Sequence, residues 1–263
     1  MRKYFVMGLL LPLAGCEYFD QGKDIFEGLT NPLVVQGMIL GVEPPESEYI
    51  DLSQTDFKEG TLAMIFLADA SNVEEIDQAP VEGAQVSLMG DVMGDAALNE
   101  LGAGAYALTP EAGVTYAPGA AWTLNVAGIG DTDASVPLAL PQAVALSVPE
   151  QHTAGEPLVL DLSGGAFDSA LVVVLDGSSG EVTYSNEPQD VRAYYDFTHG
   201  SAGVGTIEIP GTAFPGEAVY AVGVAGMNNG DSAGMAGMNT VLSAVMVGKM
   251  VFAPVSTMTM PAQ

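Results

Sequence analysis

The sequence is short of positive charge. Six Lys and Arg stand against 33 Asp and Glu, a formal net charge of -27 at pH 7. Such a surface repels phosphate backbones and anionic headgroups, which excludes nucleic acid as a partner and leaves no polybasic route to a membrane. Cysteine occurs once, at Cys16, so the chain can close no internal disulfide and offers no thiolate pair for zinc or an iron–sulfur cluster. The two histidines, His152 and His199, lie near no Gly-x-Ser-x-Gly elbow, and "DGSSGE" has the composition of a turn. One tryptophan leaves little for an aromatic sugar cleft, and carboxylate pairs arise by chance among so many acids. Neither Gly-x-Gly-x-x-Gly nor a phosphate-binding loop is present. These absences point away from an enzyme and from any cofactor.

What is present begins at the N-terminus. Arg2 and Lys3 precede the mostly apolar run Tyr4 to Leu13. That run suits a signal-peptide core and is too short for a membrane-spanning helix, which needs roughly 20 residues. It ends in Leu13-Ala14-Gly15-Cys16. The motif resembles the bacterial lipoprotein lipobox at all four positions. The resemblance implies removal of residues 1–15, diacylglycerol on the Cys16 sulfur, and three acyl chains on the mature N-terminus. One acyl chain holds a protein marginally and two signals hold it firmly, so three make a lasting anchor. The expected location is the cell envelope, and Glu17 after the cysteine favours the outer membrane. Contact with the bilayer then comes from the lipid alone, and an envelope protein is the expected kind of partner.

Loss of Arg2 and Lys3 makes the mature chain more acidic still. Three readings of that acidity stand open: a saline habitat, capture of divalent cations, and solubility on a crowded membrane. The chain is 48% hydrophobic and 15% charged, so unlike an acidic disordered tail it can bury a core.

Residues 16–31 read as the lipidated cysteine and a tether, with Tyr18, Gly22, Ile25, Phe26 and Leu29 at helical spacing. From Pro32 onward, short β-rich runs alternate with Gly, Pro, Asn and Asp clusters. Strands are expected near Val34–Leu40, Tyr49–Leu52, Leu62–Ala68, Ala84–Met89, Ala105–Leu108, Trp122–Val126 and Val136–Leu140. A second set is expected near Val144–Val148, Leu158–Leu162, Leu171–Leu175, Val182–Ser185, Ala193–Phe197, Thr206–Ile209, Val219–Val224 and Leu242–Phe252. "SNVEEID" and "MGDAALNE" carry brief helical hints.

A repeat divides the chain. "PGAAWTLNVAGI" from Pro118 matches "PGEAVYAVGVAGM" from Pro215, placing Trp122 on Tyr220, Leu124 on Val222 and Val126 on Val224. The offset suits one sandwich of about 100 residues. The expected fold is therefore all-β: two tandem immunoglobulin-like (Ig-like) β-sandwiches, residues 32–141 and 142–263, after the signal and tether. "APVEGAQVSLMGD" with "GAGAYALT" resembles carboxypeptidase-regulatory-like exported modules. There a Pro-Gly turn leads into a strand and a later G-x-Y strand joins the same core. "LTNPLVVQGMILGVE" and "GTAFPGEAVYAVGVAGM" look like acidic lipoproteins of myxobacteria, a resemblance that implies no chemistry.

Two loops carry candidate metal donors. "GDTDAS" and "NNGDSAG" offer Asp131, Asp133 and Asp231 to calcium, without the twelve-residue EF-hand pattern. "GMNNGDSAGMAGM" offers the thioethers of Met227, Met235 and Met238 to Cu(I); the plainer reading is apolar cover over the end of a sandwich. The role expected from the whole is a non-catalytic structural or interaction module, with metal binding as its alternative.

Overall fold

The computed structural model describes residues 32–45, 47–53, 55, 57–69, 79–90, 94–129, 133–188, 197–198, 205–240 and 242–259. Among these residues fifteen strands follow one another: β1 Leu33–Glu43, β2 Gly60–Asp69, β3 Gln85–Gly90, β4 Gly94–Ala97, β5 Asn99–Gly102, β6 Ala105–Leu108, β7 Ala121–Ala127, β8 Ala134–Ala139, β9 Gln151–Thr153, β10 Leu158–Asp161, β11 Ser169–Asp176, β12 Val182–Ser185, β13 Thr206–Ile209, β14 Val219–Asn229 and β15 Ala244–Met258. The class is all-β.

Two sets of four strands repeat one topology. The order β4-β3-β7-β8 recurs as β12-β11-β14-β15: a hairpin, then a later strand beside its first member, then the next strand outside that. Opposite the first set lie β1-β2-β6-β5, and opposite the second lie β10-β13. This is the strand order of an Ig-like sandwich, present twice. The sequence repeat falls on equivalent strands: Trp122 and Tyr220 are each the second residue of β7 and β14. Each of these strands follows a short 3-10 turn, Pro110–Ala112 in one half and Gly211–Ala213 in the other. The Tyr220 hydroxyl hydrogen-bonds back to Gly216, 3.3 Å from both its N and its O. Such a bond fixes the corner where the chain crosses between sheets.

The halves are joined through one sheet. β1 pairs in parallel with β15, from Gln36–Ala244 to Glu43–Val251, while also pairing antiparallel with β2. A single nine-stranded sheet results, β12-β11-β14-β15-β1-β2-β6-β5 with β9 beside β15. Alternation along β15 sends Val245, Val247, Val251 and Val255 to one face and Ala244, Met246, Met250 and Phe252 to the other. Val245 and Val247 enter the first core, with Ile39, Ile65, Leu88, Tyr106 and Leu124. Val251 and Val255 enter the second, with Leu160, Val172, Phe214, Tyr220 and Val222. The two smaller sheets thus lie side by side on the same face of the long one. Its back face holds a third cluster, which includes Met38, Leu40, Met227, Met246 and Met250. Ile50, Leu52 and Phe57 from the β1–β2 connection cover part of this layer, with Phe57 edge-on to Phe252 at 5.7 Å.

Local clamps tie the first sandwich together. The Tyr106 hydroxyl donates to Val81 O at 3.1 Å and accepts from Ala84 N at 3.0 Å. Glu82 accepts from Ala103 N, and Glu100 from Gly83 N. The turn before β3 and the turn before β6 are therefore held against each other, with the tyrosine of the G-x-Y stretch inside the same core as β3. Gly104 cannot carry a side chain here, since its φ is +71° and a Cβ would stand 2.4 Å from Leu67 O.

Several expectations need correction. "MGDAALNE" forms β4 and the start of β5, not helix. The alanines favour helix, but the segment is short, and Leu98 N donates to Val86 O where the chain passes between sheets. Tyr49–Leu52 is not a strand, although Ile50 and Leu52 are buried. Val144–Val148 also forms none: Pro141 and Pro149 bracket it, and only Val144 reaches full burial. Phe197 lies in a helical turn, while Ala193 and the rest of that expected strand fall outside the described residues. The helical hint "SNVEEID" and residues 1–31 lie outside them as well.

Gly41 tests the joint between β1 and the first core. A Cβ there would come within 2.2 Å of the Tyr116 ring, whose hydroxyl donates to Pro141 O at 3.1 Å. Gly41→Ala is expected to cost about 1–3 kcal/mol through forced repacking, read from the urea midpoint; an unchanged midpoint would contradict this packing.

Candidate functional site

Of the residues singled out for metal chemistry, Asp231, Met235 and Met238 lie in the segment after β14, Asp133 immediately precedes β8, and Met227 is within β14 itself. The segment after β14 folds back against β8: Ser135 and Ala236 form a bridge, and Asp231 N donates to Pro137 O at 3.0 Å. Met235 and Met238 pack into the first core. Met227 is in β14 on the other face, fully buried in the back layer. Its sulfur rests over Gly248, where a Cβ would lie 2.3 Å away. The long sheet therefore stands between Met227 and the other two thioethers, and the structure does not bring the three together.

A different set of methionines does line up. Met38 is directly opposite Met64 on β2 and Met246 on β15, so three thioethers share one row on the back face. All three are buried. Asn229 continues the row beside Met246, and Ser169 faces Met227 one row below. Among the described residues, Asn229 Oδ1 and Ser169 Oγ are both buried without a hydrogen-bond partner. Two hard oxygens beside soft sulfurs match neither the six to eight oxygens that calcium takes nor an all-thioether Cu(I) site. The row was hidden in the sequence because its members are far apart in the chain and meet only through the β1–β2 and β1–β15 pairings.

One of the acidic loop residues, Asp231, closes its own turn. Asp231 Oδ1 accepts from Ala233 N at 3.0 Å. Asp133 is exposed beside Gly237, at the far end of β8 from the Asp231–Pro137 contact, so roughly 13 Å of strand separates the two acids. Asp131 lies outside the described residues. The same turn-closing pattern recurs at Asp51–Ser53, Asp161–Ser163 and Asp176–Ser178, where side-chain hydrogen bonds from serine hold each carboxyl below its ordinary range. These D-x-S turns are readable from sequence as Asx turns. Among the described residues, no group of three His, Cys, Asp or Glu could hold a metal ion.

Among the described residues, His152 has no acid–base partner of the triad kind. Its Nε2 is 2.9 Å from Glu156 O, and its ring meets Phe214 edge-on at 5.1 Å. His199 and Cys16 lie outside the described residues. An open cleft of about 410 Å³ runs between β4 and the 112–115 segment, lined by Asp95, Ala96, Leu108, Val114 and Thr115. Among the described residues Asp95 is the one ionisable side chain lining it, so they supply room for a small ligand without a proton-transfer pair.

Both lysines among the described residues are ion-paired, Lys58 with Glu111 and Lys249 with Glu43. Lys58 holds Glu111 well below the usual carboxylate range. Glu187 is the opposite case: burial pushes it from 4.5 up to about 7. In the unfolded chain it ionises near 4.5, so between that value and about 7 the folded state alone keeps the proton. Its contribution is intact below the lower value and is lost as pH rises through the upper one. Glu187→Gln, which keeps the shape and drops the charge, is expected to raise Tm at about pH 8 and leave it unchanged at about pH 4 in scanning calorimetry. An equal shift at both pH values would overturn that assignment.

No protein-family model matches the chain, and no curated protein sequence is similar to it. Solved structures with a related course include the BSP domain of a biofilm-associated protein, at 11% identity and a TM-score of 0.25, covering 93% of this chain and 32% of that one. Tp47, the 47-kilodalton lipoprotein of Treponema pallidum, aligns at 13% identity and a TM-score of 0.33, covering 87% of this chain and 52% of that one. Chicken CNTN1 domains FN1–FN3 align at 8% identity and a TM-score of 0.23, covering 89% and 68%. The chain thus spans about a third of the first of these proteins and about half of the second. The Ig-like assignment rests on the strand order itself.

Proposed function

We propose that this is a lipid-anchored protein of the bacterial cell envelope with a non-catalytic structural or interaction role. The observation that carries the reading is Leu13-Ala14-Gly15-Cys16, placed directly after the positive head and apolar run. Cys16 takes the lipid, residues 17–31 link it to β1, and the outer membrane is the preferred bilayer. The fold is consistent with such a role, because Ig-like sandwiches present loops at both ends of a rigid scaffold. Asp231, one of the acids offered as ligands, closes a turn instead, and the three thioethers are divided between two faces of the long sheet, so metal delivery is not the favoured reading. A surface whose described lysines are already paired favours polar or cationic partner surfaces over anionic ones.

Labelled palmitate should appear on the wild-type chain and not on Cys16→Ser, and the variant should move from the membrane fraction to the soluble one. A Cys16→Ser form that still sediments with membranes would refute lipid anchoring.

A further inference from the structure

The first and last strands of the described chain are parallel neighbours, and their ladder is the joint between the two sandwiches. We infer that this ladder is a shear clamp: it resists tension applied between the N-terminal end of β1 and the C-terminal end of β15. The biological setting rests on the anchoring reading above; the mechanical property does not.

The geometry follows from the register. Leu33 begins β1 three residues before the Gln36–Ala244 pair, and Met258 ends β15 seven residues beyond Glu43–Val251. In a parallel pair, these two ends lie at opposite ends of the ladder, separated by roughly 55 Å of strand. Tension from the tether pulls β1 one way along its axis, and tension at the C-terminus pulls β15 the other way. Every hydrogen bond between Gln36–Ala244 and Glu43–Val251 is then loaded together. A ladder pulled open from one end loses its bonds one at a time, whereas a sheared ladder must lose them nearly at once.

The surroundings reinforce this arrangement. β1 cannot slide without also shearing its antiparallel ladder to β2, from Leu33–Asp69 to Val42–Gly60. β15 is held likewise by β14, from Val219–Ser256 to Asn229–Met246. Both strands are interior to the sheet, with side chains buried on both faces along most of their paired stretch, from Gly37 to Val42 on β1 and from Ala244 to Gly248 on β15. Water therefore has poor access to compete for the ladder. Lys249 ion-pairs with Glu43 across the two strands at the ladder's upper end.

The test is single-molecule pulling on the full, unlipidated chain in two directions. In one, the handles are the native Cys16 thiol and a cysteine added after residue 263. In the other, Cys16→Ser is combined with Glu48→Cys, an exposed position just past β1, and the same C-terminal handle, so that the ladder opens from one end. The unfolding force should be several-fold higher in the first direction. Equal forces, or a higher force in the second, would overturn the clamp. Because no lipid is present, the outcome is separate from the palmitate result: the clamp can fail while anchoring holds, and the reverse. Circular dichroism of both handle variants shows that each is folded before it is pulled.

Discussion

The pairing of β1 with β15 is the constraint on which the rest of the architecture depends. Without it, the first sandwich would present β1 as an open edge and the second would present β15. Interior strands as apolar as these make poor edges, because unpaired backbone groups template association with other chains. Joining the two edges removes both at once. It also turns two small outer faces into one wide apolar layer, which is why methionines from β1, β2, β14 and β15 collect there. Unbranched thioethers fill a layer that has to accommodate a twisted, composite sheet.

Much of the fold was legible because its signals are local. Ala105–Leu108, Val182–Ser185 and Thr206–Ile209 alternate and are bounded by turn residues, and the structure places strands on those same residues. The repeat around Trp122 and Tyr220 fell on equivalent strands because both positions answer the same need, an aromatic residue where the chain enters the core. What could not be read was long-range. Nothing in LVVQGMILGVE says that its partner is two hundred residues away, or that the pairing is parallel. Gly41 and Gly248 were silent for a related reason: each makes room for a side chain, Tyr116 or Met227, that only the assembled structure brings near. "MGDAALNE" misled because helix propensity is weak in so short a segment, and one backbone bond from Leu98 decides the outcome.

The candidate site was read with mixed success. Asp and Gly in a loop suit a calcium site and a turn equally well by composition, and Asp231 shows the turn winning. Met227, Met235 and Met238 are close in sequence, yet β14 places the first on one face and the returning loop places the others on the opposite one. Sequence proximity of soft ligands is thus a poor guide where a strand ends between them. The acidity, by contrast, is a surface property with a direct physical consequence: the described lysines are neutralised by neighbours, so the outer field stays negative.

The shared sheet is tested most directly by amide hydrogen exchange across the joint. If β1 and β15 pair as described, the amides of Met38–Val42 and Met246–Met250 exchange only through global unfolding, far more slowly than those of the edge strand β12. Exchange of these amides at the rate of β12, through a local opening that leaves the rest of each sandwich protected, would contradict the account.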